Sequence, residues 1–124
     1  MRHVLDRFQC FFQGLAERTV DYDARKRDQS IETNLESARF AVTSIERRIS
    51  DLDLSASTAI EVKETVHHLS PKVLIESSVA RELMGLITHT THHLAIIGMI
   101  ARDQGYSLDQ DFGKAPSTLV FERS

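Results

Sequence analysis

The stretch Thr33-Asn34-Leu35-Glu36-Ser37-Ala38-Arg39-Phe40-Ala41-Val42-Thr43-Ser44-Ile45-Glu46-Arg47-Arg48-Ile49-Ser50-Asp51-Leu52 carries the strongest fold signal in the chain. Thr33 and Glu36 have the spacing of a capping box, in which a hydroxyl and a carboxylate satisfy amides left without partners at a helix start. Behind it Leu35, Ala38, Val42, Ile45, Ile49 and Leu52 recur at alternating steps of three and four. That spacing puts all six on one face of an α-helix. A helix with one apolar face needs something to cover it, so the pattern predicts a helix of a bundle.

Toward the N-terminus, residues 2 to 18 carry Val4, Leu5, Phe8, Phe11, Phe12 and Leu15 at the same period, which predicts a second helix that Gly14 weakens only slightly. Residues 19 to 32 are polar and rich in charge (Asp21, Asp23, Arg25, Lys26, Arg27, Asp28), which predicts a solvated connection. Residues 58 to 76 fit two templates. Ile60, Val62 and Val66 alternate with Glu61, Lys63 and Thr65, and Val73 to Ile75 after Pro71 can pair back as a hairpin. Ala59, Val62, Val66 and Leu69 also fit helical spacing behind a Thr58…Glu61 capping box. We take the segment as extended. Ser77 or Ser78 then caps a helix running to Gly105, a fitting residue just past a helix end. At 1.5 Å per residue this helix spans roughly 40 Å. A tail with Asp111-Phe112-Gly113 and Ala115-Pro116-Ser117-Thr118-Leu119 follows, and no repeat or low-complexity segment interrupts the chain.

With 124 residues the chain has the length of one ordinary domain. Its 41% hydrophobic and 27% charged residues fit a soluble globular protein. Five glycines and two prolines favour long helices over loop-rich β architecture. A net charge of −3 gives no electrostatic footprint for nucleic acid. The lone Cys10 makes no internal disulfide, which fits a reducing cytoplasm. Charges of both signs in Met1-Arg2-His3-Val4-Leu5-Asp6-Arg7 do not fit a signal peptide. The longest strongly apolar run, Leu94 to Ala101, has eight residues, whereas a bilayer span needs about 20. These features predict a single all-α domain over residues 1 to 124, cytoplasmic, with neither nucleic acid nor membrane as partner.

Three of the six histidines crowd into His89-Thr90-Thr91-His92-His93, inside the longest expected helix. Residues four apart lie one turn apart on one face, so His89 and His93 can aim two imidazoles at one point. Zinc, nickel and ferrous iron accept neutral imidazole, and a catalytic site adds a third protein ligand and an open position. The motif is not that of a zinc protease, because Thr90 stands where the Glu of H-E-x-x-H belongs. That the pair packs, hydrogen-bonds and binds nothing stays open at this point. His92 lies about 100° round from His93 and should point away. His67 and His68 fall near an expected turn, where surface positions are the rule. His3 belongs to the first helix, immediately before Val4, and an antiparallel neighbour would bring it to the middle of the long helix.

Arg2-His3-Val4-Leu5-Asp6, Val20-Asp21-Tyr22-Asp23, His89-Thr90-Thr91-His92-His93-Leu94-Ala95 and the tail from Asp111 to Leu119 together resemble the DinB/YfiT-like proteins. The resemblance implies a helical bundle, here with three long helices and a short extended or hairpin segment before the last. It also implies a divalent metal (zinc, nickel, iron or manganese) held by three histidines, carried over by position to His3, His89 and His93. The family includes thiol-dependent transferases that use low-molecular-weight thiols such as bacillithiol or mycothiol. A metal lowers the pKa of a bound thiol or water and so generates a nucleophile near neutral pH. The expected function is therefore a DinB/YfiT-like metal-binding protein, a thiol-dependent transferase or metal-assisted hydrolase of unknown substrate. The alternative is a non-catalytic four-helix-bundle relative acting as a stress-response or interaction protein.

Around these ligands, Asp6 is expected as an exposed partner of Arg2 rather than a group orienting His3. Glu82, two turns before His89, is too far to bind with it, and Cys10 is expected to pack inertly. Family members have a whole helix before the one carrying the first histidine, whereas here His3 is the third residue. This departure predicts a fraying first turn around His3, and apolar surface covered by a second copy in a homodimer or by an upstream segment.

Overall fold

The computed structural model describes residues 1–55 and 58–124. Among them the chain forms five helices and three strands, in the order α1 (Arg2–Gly14), β1 (Thr19–Asp21), α2 (Ser30–Thr33), α3 (Leu35–Ser50), β2 (Ala59–Glu64), β3 (Val73–Ser78), α4 (Val79–Asp103) and α5 (Pro116–Glu122). The strands make one mixed sheet in the order β1-β2-β3. The expectation of an all-α, DinB-like four-helix bundle is thereby corrected: helices and a sheet share the fold. The chain divides into two compact units, Met1–Met84 and Gly85–Ser124, with α4 starting in the first and continuing into the second.

In the first unit the hairpin expected over residues 58 to 76 is present. β2 and β3 pair antiparallel, with Val62 opposite Ile75 and Ile60 opposite Ser77. The strand that overturns the all-α expectation is β1, in the segment expected as a solvated connection. Val20 and Tyr22 alternate with Asp21 and Asp23, and the two apolar side chains are 0% and 3% exposed. Three residues are too few to show a period against that charged background. Their backbone finds partners in β2, which runs parallel with Val20 beside Val62. Parallel neighbours need a long crossover, and the chain between β1 and β2, with α2 and α3 in it, supplies one.

α1 packs its apolar face on β1 and α3. Phe8, Phe11 and Phe12 are all buried, and the last two meet edge to face with centroids 5.2 Å apart. At Gly14 the following chain turns so closely that a Cβ would lie 2.4 Å from the Thr19 carbonyl oxygen. α3 starts one residue later than the expected capping box. Asn34 is the cap, its Oδ1 accepting from the Ser37 amide at 3.0 Å. Ser78 caps α4 by accepting from the Arg81 amide at 3.2 Å.

In the second unit α4 ends where glycine was expected to end it. Gly105 has φ +84°, the Gly105 amide donates to Arg102 O and the Tyr106 amide to Ala101 O. Those two bonds are the six-to-one and five-to-two pair of a Schellman motif. The tail then folds back along the helix. Gly113, at φ +82°, sits so close that a Cβ would lie 2.8 Å from both Ala95 Cα and Leu94 O. By length and composition alone α4 is apolar enough to cross a membrane, but imidazoles at its centre are the group a lipid interior disfavours.

Candidate metal centre

The two units each hold part of the expected donor set. In the second unit α4 brings His89 and His93 together: the rings stand edge to face with centroids 4.5 Å apart, and both residues are half-buried. The one-turn spacing is the cause. The two threonines between them turn inward along the helix, Thr90 donating to Leu86 O at 2.7 Å and Thr91 to Ile87 O at 3.0 Å. Such back-bonding satisfies both hydroxyls within the helix itself. His92 is exposed, and its ring lies edge to face with that of His93 at 5.9 Å. The tail braces the next turn. Phe112 lies against Gly98, where a Cβ would be 3.2 Å from the ring, and Arg102 Nη2 donates to Asp109 O at 3.1 Å.

In the first unit His3 occupies the first turn of α1, which is held rather than frayed: the Val4 and Leu5 amides donate to Met1 O and both residues are buried. Arg25 Nη1 donates to His3 Nδ1 at 2.5 Å. One turn further on, Asp6 is 1% exposed, which corrects the expectation of a surface pair. Its Oδ2 lies 3.7 Å from Arg2 Nε, and its Oδ1 has no hydrogen-bond partner. Arg2 Nε and Arg25 Nε are likewise buried without one. Burial pushes the Asp6 carboxyl above its usual range, with Arg2 and Arg25 pulling the other way. The polarity of Asp6 hid this placement; the buried surface of α1 is wide enough to take in Val4, Leu5 and Asp6 consecutively.

A second polar cluster in the same unit escaped the sequence. Tyr22 donates to Glu82 Oε2 at 2.8 Å and Ser77 donates to Glu82 Oε1 at 2.6 Å. The Arg7 guanidinium lies 4.1 Å from the centre of the Tyr22 ring and pairs with Glu64. Burial, then the bond to Glu82, pushes the Tyr22 phenol far up. Glu82 is thus a structural acceptor. Cys10 is 3% exposed and burial raises its thiol pKa, which suits packing and not thiolate chemistry. His67 and His68 stack at 4.7 Å on the surface of the β2–β3 turn. A cavity of about 770 Å³ opens between α1 and α3, lined by Gln13, Phe40, Ile45 and Arg48 among others and by no histidine.

Over 102 residues, 81% of its length, the chain is 31% identical to FK506-binding protein 5 of Rhizopus delemar. The chain spans about a quarter of the length of this curated relative (26%). No protein-family model matches the chain. No solved structure matches it either.

Proposed function

We propose that this protein binds a divalent metal ion through His3, His89 and His93, as zinc, nickel, iron or manganese. The observation that carries this reading is the His89–His93 pair, two half-buried rings one helical turn apart. Two imidazoles need a third donor for a catalytic type of site. His3 is taken as the third because the resemblance of the sequence assigns it that place. When bound, such an ion lowers the pKa of a water or low-molecular-weight thiol, the chemistry that thiol-dependent transfer or hydrolysis of an unknown substrate requires.

The test is a titration of the metal-stripped protein with zinc, nickel, iron(II) and manganese while thermal unfolding is followed. Free metal at a hundred times its dissociation constant is expected to stabilise by about 2.7 kcal/mol. The shift should vanish in His89→Ala and His93→Ala. If none of the four ions shifts the wild type, the metal reading fails and a non-catalytic interaction protein takes its place. Running FK506 in the same assay tests whether the ligand named for the Rhizopus protein is shared.

We also propose a homodimer. Leu35, Phe40 and Val42 of α3 are 66%, 77% and 46% exposed, an apolar set that a second copy would cover. Light scattering that gives the mass of one chain at micromolar concentration overturns this part.

A further inference from the structure

Within the first unit, β3 is an edge strand whose outer side has no strand beside it among the described residues. The sheet ends with it in the order β1-β2-β3. Apart from the ladder with β2, no backbone hydrogen bond involves Val73 to Glu76. An open row of N–H and C=O groups is a template for another strand, and proteins usually blunt it by making the edge short or charged. The opposite edge, β1, has three residues. β3 has six, and Val73, Leu74 and Ile75 in its first half are 38%, 52% and 53% exposed.

The strand is also held in place. Ser78 at its end caps α4, and Ser77 donates to Glu82 in the first turn of that helix. Val73 and Ile75 stand on the same face as Ile60 and Val62, because Ile75 lies opposite Val62 and Ser77 opposite Ile60. Ile60 and Val62 are each 4% exposed, so the apolar row of the sheet is covered at β2 and open at β3. Lys72, Leu74 and Glu76 alternate onto the other face.

The sequence of the edge is its own complement. Two antiparallel copies keep every side chain on its own face only where one residue sits opposite its counterpart. With Leu74 in that place, Lys72 of each copy lies beside Glu76 of the other, and Val73 beside Ile75. Opposite charges and β-branched neighbours are pairs that stabilise adjacent strands. Centring on Val73 sets Lys72 beside Leu74, centring on Ile75 sets Leu74 beside Glu76, and centring on Glu76 brings two carboxylates together. Pro71, which has no N–H, bounds the ladder. Lys72 already meets Asp21 at 2.7 Å, an exposed ion pair that an ammonium with three protons can share.

We propose that β3 is a self-recognition edge: it pairs antiparallel with β3 of a second copy of this chain, about a twofold axis through Leu74, joining two sheets into one. The contact is separate from the α3 surface described above and does not depend on the metal reading. It is small, so the association is weak and reversible.

The experiment traps the pair in the whole chain. Opposed residues of an antiparallel ladder have Cα atoms about 4.5–5.5 Å apart, within reach of a disulfide. Leu74→Cys under mild oxidation is therefore expected to give a covalent dimer several-fold faster than Val66→Cys, whose side chain is 70% exposed in the connection between β2 and β3. Glu76→Lys added to Leu74→Cys should slow trapping several-fold, and Lys72→Glu added to both should restore it. Trapping should survive Phe40→Asp on α3. Circular dichroism verifies that each variant folds. In the wild type, amide exchange at the outward N–H groups of β3 should slow as protein concentration rises. Leu74→Cys that traps no faster than Val66→Cys overturns the proposal. So does exchange that is independent of concentration, or a double charge reversal that fails to restore trapping. Trapping abolished by Phe40→Asp assigns the encounter to α3 and overturns it as well.

Discussion

Helices α1 and α3 carry apolar stripes of similar regularity, yet they end in different surroundings. α1 buries Val4, Leu5, Phe8, Phe11 and Phe12, and even Asp6. α3 buries only Ala41 and Ile45, and leaves Leu35, Phe40 and Val42 in solvent. The cause is what each helix meets. α1 lies against β1 as well as α3, so its buried surface is broad. α3 meets α1 and the four-residue α2. Periodicity therefore identifies a face, and the neighbour decides how much of that face leaves water.

The largest test of this contrast is Phe11→Ala. Phe11 is 0% exposed, and truncating a buried phenylalanine costs about 3–5 kcal/mol. Urea unfolding at neutral pH checks it. A loss below about 1 kcal/mol would mean that the α1 core collapses on the gap and is not tightly packed.

Tyr22→Phe is intermediate and adds a pH signature. It leaves Glu82 Oε2 without its phenol donor, at a cost of about 1–2 kcal/mol at pH 7. The folded phenol titrates above its ordinary value of 10.0 because burial and Glu82 favour the neutral form. The unfolded chain sheds that proton first, so wild-type stability is flat in this group below pH 10 and falls as pH rises beyond it. Phe cannot titrate, and the gap between the two proteins is expected to narrow above pH 10. Urea midpoints at pH 7, 9 and 11 measure it, and a constant gap counts against the buried phenol.

The smallest effect belongs to α3. Phe40→Asp is expected to change the unfolding free energy of dilute protein by no more than about 0.5 kcal/mol, as surface substitutions do. At higher concentration it should shift the light-scattering mass from two chains toward one. A large loss of stability in dilute monomer would put Phe40 inside a core and erase the contrast with α1.

Much of the local structure was legible because the signals are local. Gly105 supplies the left-handed residue of a Schellman end, and Ser78 the hydroxyl of an N-cap. The alternation of Ile60 and Val62 marks a half-buried strand, and both are buried. The cap of α3 moved from Thr33 to Asn34 since either side chain suits the position, and backbone geometry chose between them. The pairing of His89 and His93 followed from helix pitch alone.

By itself the sequence determined where α4 begins and ends, which segment doubles back as a hairpin, and which two imidazoles share a turn, all of them properties of neighbours within a few residues. Only the tertiary structure decided that Val20 lies in a strand with Tyr22 buried just beyond it, that Asp6 is buried, and that Arg25 reaches His3. The strand needs a partner some 40 residues away to accept its hydrogen bonds, and the other two depend on which distant groups crowd one small volume. Such terms are set by the packing of the folded chain, and no window of sequence contains them.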